Sequence, residues 1–169
     1  MKPAVMQRGH PDDFQTPPEA LCPLYPHLQS RFVIWECAQG TGNLANALRG
    51  HGFAVVATDI LNGHDFLHWQ PDNWDCIVTN PPYSLKHEFL ERAYGLGKPF
   101  ALLLPLTTFE TKRRQFLFRE FGVEVIFLPK RVNFETPSGE GTGAWFAVAW
   151  FTWGLNIGRQ LTFAEELGT

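Results

Sequence analysis

The residues best suited to chemistry are Asn80-Pro81-Pro82-Tyr83, which follow an apolar run from Trp74 to Thr79. Each proline ring fixes φ at about −65° and removes an N–H group, so the turn is stiff and ends the strand abruptly. A corner at the carboxyl end of a strand is where open α/β sheets bind their ligands. The Asn80 amide, the Pro81 carbonyl and the Tyr83 ring could together bind a flat molecule that carries an amine.

A second candidate site is the glycine-containing segment Gly40-Thr41-Gly42-Asn43-Leu44-Ala45, between a predicted strand and a predicted helix. Because glycine has no Cβ, the backbone can approach a ligand closely at the helix N-terminus. Asp59 ends the next predicted strand, where a carboxylate can accept both hydroxyls of a ribose. This pattern suits a dinucleotide as well as other nucleoside cofactors, and a tight turn that binds no ligand would share it.

Glu36 separates the two kinds of cofactor. A carboxylate at the start of the glycine loop would repel the pyrophosphate of a dinucleotide, whereas it would attract an ammonium group. A ligand with both a ribose and an α-amino group fits S-adenosylmethionine better than NAD. NAD-dependent dehydrogenation therefore remains an alternative rather than the leading hypothesis.

With these residues in place, the sequence resembles the class I S-adenosylmethionine-dependent methyltransferases, specifically the amino-methyltransferases that act on adenine N6. Asn80-Pro81-Pro82-Tyr83 matches the Asn/Asp-Pro-Pro-Tyr/Phe signature of that family. The glycine loop and the acidic strand end precede it in the expected order, and the resemblance runs from Phe14 to Trp153. Glu36-Cys37-Ala38-Gln39 departs from the commoner Asp-Pro-Pro/Ala-Cys/Phe.

The resemblance implies a cofactor site built from several segments. Phe14, Thr16 and Pro17 would contact the methionine part of S-adenosylmethionine, and Glu36, Ala38, Gly40 and Gly42 would hold its amino acid end. Asp59 and Ile60 would contact the ribose, and Asp65 and Phe66 the adenine, with Asn80 beside them. Asp65 could instead cap the turn that follows it.

The chemistry explains the residue types of the tetrapeptide. The lone pair of an adenine amine is delocalised into the ring, so the amine is a poor nucleophile. The Asn80 oxygen and the Pro81 carbonyl can accept hydrogen bonds from its two N–H groups and so favour a pyramidal nitrogen. Pro82 keeps the turn rigid. Tyr83 would stack on the base, which contributes about 1 to 3 kcal/mol. Asn80 cannot act as a general base, so the proton would leave after methyl transfer.

Basic residues near the same edge are candidates for holding a nucleic acid. Lys112, Arg113 and Arg114 could bind phosphates, although a solvated helix face has the same composition. Arg131 and Phe134 resemble the late motif that borders the target pocket, with a plain strand end as the alternative. The loop from Pro137 to Gly143 could close over substrate or be a mobile connection. His64 and His68 lack the ligands of a metal site, and we predict none.

The elements that must position these residues alternate along the chain. Predicted strands and helices favour an α/β fold, doubly wound, with a mostly parallel Rossmann-like sheet and an antiparallel aromatic strand near the C-terminus. Residues 1–13 are predicted to be a flexible arm, and residues 14–169 one methyltransferase domain. The predicted strands are Phe32–Trp35, Phe53–Ala57, Asp65–Leu67, Cys76–Thr79, Phe100–Leu104, Val123–Leu128 and Trp145–Trp153. The predicted helices are Asn43–His51, Glu88–Tyr94 and Lys112–Phe121, preceded by a short helix that Thr16 would cap.

Composition narrows the class of protein. The 169 residues are 44% hydrophobic and 14% aromatic, as in a globular domain, and the formal net charge of −3 gives no general attraction for nucleic acid. Cys22, Cys37 and Cys76 have no CxxC spacing and are expected to be small core residues in a reducing compartment. The N-terminus lacks an apolar signal region, so we expect a cytoplasmic protein without a membrane partner.

We therefore predict methyl transfer from S-adenosylmethionine to adenine N6, with DNA as the favoured polymer. A base in a duplex would have to be flipped out or be single-stranded to reach the corner. The segment after Phe134 has room for one strand and a tail rather than a recognition region, so intrinsic sequence specificity should be low or come from a protein partner. Structured RNA, a protein glutamine amide and a non-catalytic binding module remain alternatives.

Overall fold

The computed structural model describes residues 15–132, 134 and 147–166. Several features predicted from the sequence lie outside this part of the chain. They are the N-terminal arm 1–13, Phe14, Asn133 of the late motif, the loop Pro137–Gly143, and the start of the aromatic strand at Trp145.

The described residues form a mixed sheet of seven strands. In chain order these are β1 (Val33–Glu36), β2 (Ala54–Ala57), β3 (Cys76–Thr79), β4 (Phe100–Pro105), β5 (Glu124–Phe127), β6 (Val148–Trp153) and β7 (Leu161–Phe163). Their order across the sheet is β2-β1-β3-β4-β6-β5-β7. The chain thus builds outward from β1 to β2 and then returns to the other side of β1 to continue with β3.

Strand direction confirms the predicted doubly wound α/β fold. Strands β1 to β4 pair in parallel, β6 is antiparallel to both β4 and β5, and β7 is parallel to β5. Since β6 is antiparallel to both of its neighbours, β4 and β5 point the same way. Strand β6 is the one strand of this sheet that runs in the opposite direction. The aromatic β6 contributes buried Trp150 and Phe151 to the core.

Helices α1 (Asn43–Gly50), α2 (Lys86–Leu96) and α3 (Lys112–Phe121) form the crossovers between parallel strands. Right-handed crossovers in opposite directions from β1 and β3 place α1 on one face and α2 on the other. Short 3₁₀ helices fill the connections, at Pro18–Leu21, Tyr25–His27, Ile60–Asn62, Tyr83–Leu85 and Leu106–Glu110. These crossovers leave the carboxyl ends of β1, β2, β3 and β4 at one edge.

Three predictions about elements were wrong. Asp65–Leu67 is a turn and not a strand. The Asp65 carbonyl accepts hydrogen bonds from the His68 and Trp69 amides, and its carboxylate accepts one from the Leu67 amide. Thr16 does not cap a helix; Pro17 is the N-cap of the Pro18–Leu21 3₁₀ helix, and no side chain caps it. The described residues after Phe134 form two strands where one was predicted, since the short β7 extends the sheet beyond β5.

The core holds the first strands firmly. Trp35 in β1 lies within an aromatic cluster with Phe66, Trp69 and Trp74, and its indole N–H donates to Thr58 Oγ1 at 2.9 Å. Trp150 in β6 donates to the Ala20 carbonyl at 2.8 Å, which anchors the segment preceding β1. Strand β2 is half-exposed because it lies at the sheet edge.

Two of the three free cysteines, Cys37 and Cys76, are buried. No helix in the described ranges is both long and apolar enough to cross a lipid bilayer.

Candidate active site

The predicted site residues converge at the carboxyl edge of the sheet. Glu36 ends β1, Asp59 follows β2 by two residues, and Asn80 directly follows β3. Strand β1 lies between β2 and β3, so the crevice between β1 and β3 is the point at which the winding direction reverses. Doubly wound sheets bind their ligands at this position.

The glycine loop between β1 and α1 has two residues with positive φ, Gly40 at 53° and Gly42 at 93°. A Cβ at position 40 would come within 2.6 Å of the Gln15 amide nitrogen. Glycine therefore leaves room for Gln15, whose Oε1 accepts hydrogen bonds from the Thr41 amide at 3.0 Å and the Thr41 hydroxyl at 2.7 Å. The segment at Gln15 thus lies directly against the glycine loop.

Asp59 closes the loop from the neighbouring strand. Its Oδ2 accepts the Gly40 amide and its Oδ1 accepts the Leu61 amide, both at 2.9 Å. With Thr41 bonded to Gln15 and the Gly42 amide bonded to the Gln39 carbonyl, the N–H groups of residues 40, 41 and 42 all have protein acceptors. In this conformation these amides are taken, both for the pyrophosphate of a dinucleotide and for the amino acid end of S-adenosylmethionine that Gly40 and Gly42 were predicted to hold.

Glu36 is buried, with 1% of its surface exposed. Its Oε1 accepts a hydrogen bond from the Thr79 hydroxyl and another from the Ala38 amide at 3.0 Å. Burial raises the pKa of Glu36 from 4.5 to about 7; the bonds from Thr79 and Ala38 lower it, and the nearby Asp59 charge raises it. A cation in this crevice would favour the ionised form.

The Asn80-Pro81-Pro82-Tyr83 corner has the extended geometry that its prolines predict, with Pro82 at φ −61° and ψ 125°. The chain then enters the Tyr83–Leu85 3₁₀ helix and α2. Asn80 Oδ1 is buried, and Tyr83 is 9% exposed. The predicted stacking of Tyr83 on a base therefore requires the ring to be uncovered when substrate binds.

Thr16 and Pro17 lie next to Gln15 and are buried. The Thr16 hydroxyl is also buried and has no hydrogen-bond partner among the described residues. A buried hydroxyl without a protein acceptor can donate to a ligand, and Thr16 is one of the residues predicted to contact the methionine part of S-adenosylmethionine.

Asp65 and Phe66 follow the Ile60–Asn62 turn, which holds the half-buried Ile60. Asp65 Oδ1 accepts the Leu67 amide at 3.0 Å, so this carboxylate does cap the turn. Phe66 is 2% exposed; its ring stacks on Phe89 at 4.6 Å between centroids and lies 5.2 Å from Trp35. The Phe66 ring thus belongs to the core and has no exposed face for an adenine.

The basic residues of α3 differ in their surroundings. Lys112 and Arg113 are exposed and line a groove against α2, where Arg113 lies 4.0 Å from Glu91. Arg114 is buried, and its guanidinium donates to the carbonyls of Thr108 at 2.6 Å and Thr107 at 3.4 Å. The predicted phosphate contact of Arg114 is therefore wrong for this conformation, since its donors hold the preceding turn.

The remaining candidates occupy mixed environments. Arg131 is exposed and Phe134 is buried, so of these two candidates the arginine faces solvent and the aromatic ring does not. His68 is exposed, and the His64 ring lies 4.2 Å from that of Trp69. In the part of the chain that is described, no three His, Cys, Asp or Glu side chains gather closely enough to hold a metal ion.

Two residues of the site were missed from the sequence. Gln15 lies between Phe14 and Thr16, but glutamine has no distinctive pattern, and its contact with Thr41 is long-range. Thr79 reads as an ordinary β-branched strand residue. Its position directly before Asn80 was the available signal, but the Glu36 contact depends on how β1 and β3 pair.

Comparisons with known proteins bear on the fold. No family model and no curated protein matches this chain. The type IIG restriction endonuclease BpuSI aligns with a TM-score of 0.53 at 19% identity, over 85% of this chain and 26% of its own. A dimethyladenosine transferase from Plasmodium falciparum aligns with a TM-score of 0.49 at 12% identity, over 82% of this chain and 62% of its own.

A predicted O-methyltransferase from Agrobacterium tumefaciens aligns with a TM-score of 0.36 at 13% identity, over 77% of this chain and 64% of its own. This chain spans only about a quarter of the length of the restriction endonuclease with which it aligns. That likeness agrees with the strand order, which makes this chain a doubly wound α/β fold.

Proposed function

We propose that this protein transfers a methyl group from S-adenosylmethionine to the exocyclic N6 amine of adenine, with DNA as the favoured polymer. The observation that carries the proposal is the meeting of two half-sites at the switch point of the sheet. Glu36, the glycine loop and Asp59 form the cofactor half, and the Asn80 corner forms the acceptor half. The Thr79 hydroxyl bonds one half to the other.

The cofactor half matches the charges of S-adenosylmethionine. The Glu36 carboxylate suits an ammonium, the Thr16 hydroxyl can donate to a carboxylate, and Asp59 can accept ribose hydroxyls. The Glu36 carboxylate would repel a pyrophosphate at the start of the glycine loop, which favours this cofactor over a dinucleotide. When bound, S-adenosylmethionine supplies an electrophilic methyl group on its sulfonium.

The acceptor half then acts by positioning. The Asn80 side-chain oxygen and the Pro81 carbonyl accept the two N–H groups of the amine and hold its lone pair toward the cofactor half. Holding the reacting atoms in line replaces a bimolecular encounter, which can remove several kcal/mol of barrier. Methyl transfer would form the new C–N bond while the S–CH₃ bond breaks and a neutral thioether is released, and the methylated amine would then lose one N–H proton. Asn80 is a neutral amide and does not take that proton, which passes to solvent after transfer.

A nucleic acid would approach with little help from the overall charge. With a net charge of −3, the chain relies on local cations, and the exposed Lys112, Arg113 and Arg131 are the candidates. The corner binds one extruded or single-stranded base. We therefore propose low intrinsic sequence specificity, with a protein partner as a possible source of more.

The test is a methylation assay with S-adenosylmethionine labelled in the methyl group. Single-stranded DNA, duplex DNA, structured RNA and a protein mixture are offered in parallel. Nucleoside digests are analysed for N6-methyl-2′-deoxyadenosine from DNA and for N6-methyladenosine from RNA. We expect the label in DNA, more in single strands than in duplex. Label in RNA or protein alone would contradict the DNA proposal, and NAD binding without S-adenosylmethionine binding would contradict methyl transfer altogether. Cofactor binding without transfer to any acceptor would indicate a binding module.

A further inference from the structure

Thr79 lies at the junction of the two half-sites. It is the last residue of β3, is fully buried and directly precedes Asn80. Its hydroxyl donates to Glu36 Oε1 across the crevice between β3 and β1. A buried hydroxyl needs a partner, and valine would fit a strand equally well, so the hydroxyl itself is the informative feature.

The two oxygens of the Glu36 carboxylate have different surroundings. The Thr79 hydroxyl and the Ala38 amide both donate to Oε1. Within the described residues, no hydrogen-bond donor to Oε2 is present. The carboxylate is thus held through one oxygen, and the other is left for a ligand.

We propose that Thr79 is a positioning residue that fixes Glu36 Oε1, so that Oε2 is presented to the ammonium of the cofactor. The same bond ties this carboxylate to the strand end that carries Asn80, so the cofactor half and the acceptor half form one rigid unit. The inference rests on the proposed function and adds to it the group that orders the two half-sites.

The charge state of Glu36 gives the inference a measurable consequence. The hydrogen bond from Thr79 lowers the pKa of Glu36 and opposes the effect of burial. Asp59 faces Glu36 from the end of β2 and raises this pKa. Cys37 follows Glu36, and its thiol stays neutral because burial raises its own pKa well above the usual value. From β3 the facing group is Thr79 itself, which carries no charge.

The first experiment measures Glu36 directly and without cofactor. Protein labelled with ¹³C in the glutamate carboxyl groups is titrated by NMR, and the Glu36 signal is assigned by its loss in Glu36→Gln. Thr79→Val removes the hydroxyl at nearly constant volume, and Thr79→Ser retains it. We expect Thr79→Val to raise the pKa of Glu36 by about one to two pH units, the effect of a charge-assisted hydrogen bond, and Thr79→Ser to stay close to wild type.

The second experiment measures the dissociation constant of S-adenosylmethionine by calorimetry at pH 6, 7 and 8. An ammonium binds the ionised carboxylate, so wild-type affinity should rise with pH through the Glu36 pKa. Thr79→Val should shift this rise to higher pH by the amount seen in the titration, with about a tenfold loss at pH 7. Glu36→Gln should abolish the pH dependence attributable to this site.

Thr79→Ala removes the same hydroxyl with a smaller side chain and should shift both profiles in the same direction if Thr79→Val does not fold. An unchanged Glu36 titration in these variants, or a cofactor profile equal to that of wild type, would overturn the inference while leaving the proposed function intact. Failure of the wild-type protein to bind S-adenosylmethionine at every pH would overturn the proposed function and, with it, this inference.

Discussion

At the scale of single residues, Asp59 and Asn80 follow β2 and β3, on either side of β1, and the proposed function gives them different tasks. Asn80 belongs to the proposed acceptor corner after β3, whereas Asp59 holds the glycine loop through the Gly40 amide and caps the Ile60–Asn62 3₁₀ helix through the Leu61 amide. Substituting them should therefore affect different kinetic constants. This separation tests the assignment of the two half-sites.

Asn80→Ala should abolish most methyl transfer while leaving cofactor binding intact. Losing one preorganised polar group in an active site typically lowers the rate by about 10²- to 10³-fold. The cofactor dissociation constant should stay within about threefold of wild type, because the glycine loop and Asp59 are untouched. Single-turnover methylation and calorimetry measure the two quantities.

Asn73→Ala is the matched control for Asn80→Ala, because Asn73 is exposed in the turn before β3. It should leave both the rate and the affinity unchanged. An equal loss of affinity and rate in Asn80→Ala would show that the roles of the two half-sites are wrongly assigned.

Asp59→Asn should have the opposite signature and weaken cofactor binding first. The substitution keeps the side-chain shape but removes the charge that accepts the loop amides and the ribose hydroxyls. Hydrogen bonds to charged groups contribute about 1.5 to 3 kcal/mol, so we expect the dissociation constant to rise about tenfold or more. Asp72→Asn, on the exposed turn before β3, serves as the control. A fall in rate at saturating cofactor without a change in affinity would contradict this assignment.

At the scale of elements, α3 shows that neighbouring basic residues can have different tasks. Arg113 points to solvent, with 76% of its side chain exposed. Arg114 instead binds the carbonyls of Thr107 and Thr108 in the 3₁₀ helix between β4 and α3. That helix is therefore fastened to the helix that follows it. The phosphate-binding surface, if present on α3, consists of Lys112 and Arg113.

Arg114→Ala should destabilise the fold, whereas Arg113→Ala should not. Removing the buried guanidinium leaves carbonyl groups without their donors, and we expect the free energy of unfolding to fall by about 2 kcal/mol. Arg113→Ala, on the exposed face, should change it by less than about 0.5 kcal/mol. Urea unfolding measures both. Equal stabilities of the two variants would show that the Arg114 contacts contribute little.

At the scale of the whole molecule, Glu36 makes folding stability depend on pH. Folding raises its pKa from 4.5 to about 7, so the native state binds a proton that the unfolded chain has already released between these values. Below about pH 4.5 both states are protonated and the contribution is fully present. It is lost as pH rises to about 7 and is constant above that.

The stability difference between wild type and Glu36→Gln isolates this contribution, because all other titrating groups are common to both proteins. Relative to Glu36→Gln, wild type should lose about 3 kcal/mol between pH 4.5 and pH 8. Urea unfolding at intervals across this range measures the difference. A constant difference across the range would show that Glu36 titrates normally in the folded protein.

The sequence by itself determined the sheet and its carboxyl-edge site. Apolar runs alternating with helical patterns specified six of the strands and all three helices, because burial on both faces imposes such runs. The stiff Asn80-Pro81-Pro82-Tyr83 corner and the Gly40 loop could also be predicted, since proline restricts the backbone and glycine permits the positive φ that a tight turn needs. The two weakest elements, the Asp65–Leu67 turn and β7, were misread because short segments carry little periodicity.

Only the tertiary structure decided which side chains meet. The bond between Thr79 and Glu36, the contact of Gln15 with the glycine loop, and the burial of Phe66 and Arg114 all join residues or environments that sequence spacing does not encode. They depend on strand order and on helix packing, which bring distant segments together after the local elements have formed. The physical reason is that local propensity acts over a few residues, whereas this site is assembled across three parallel strands.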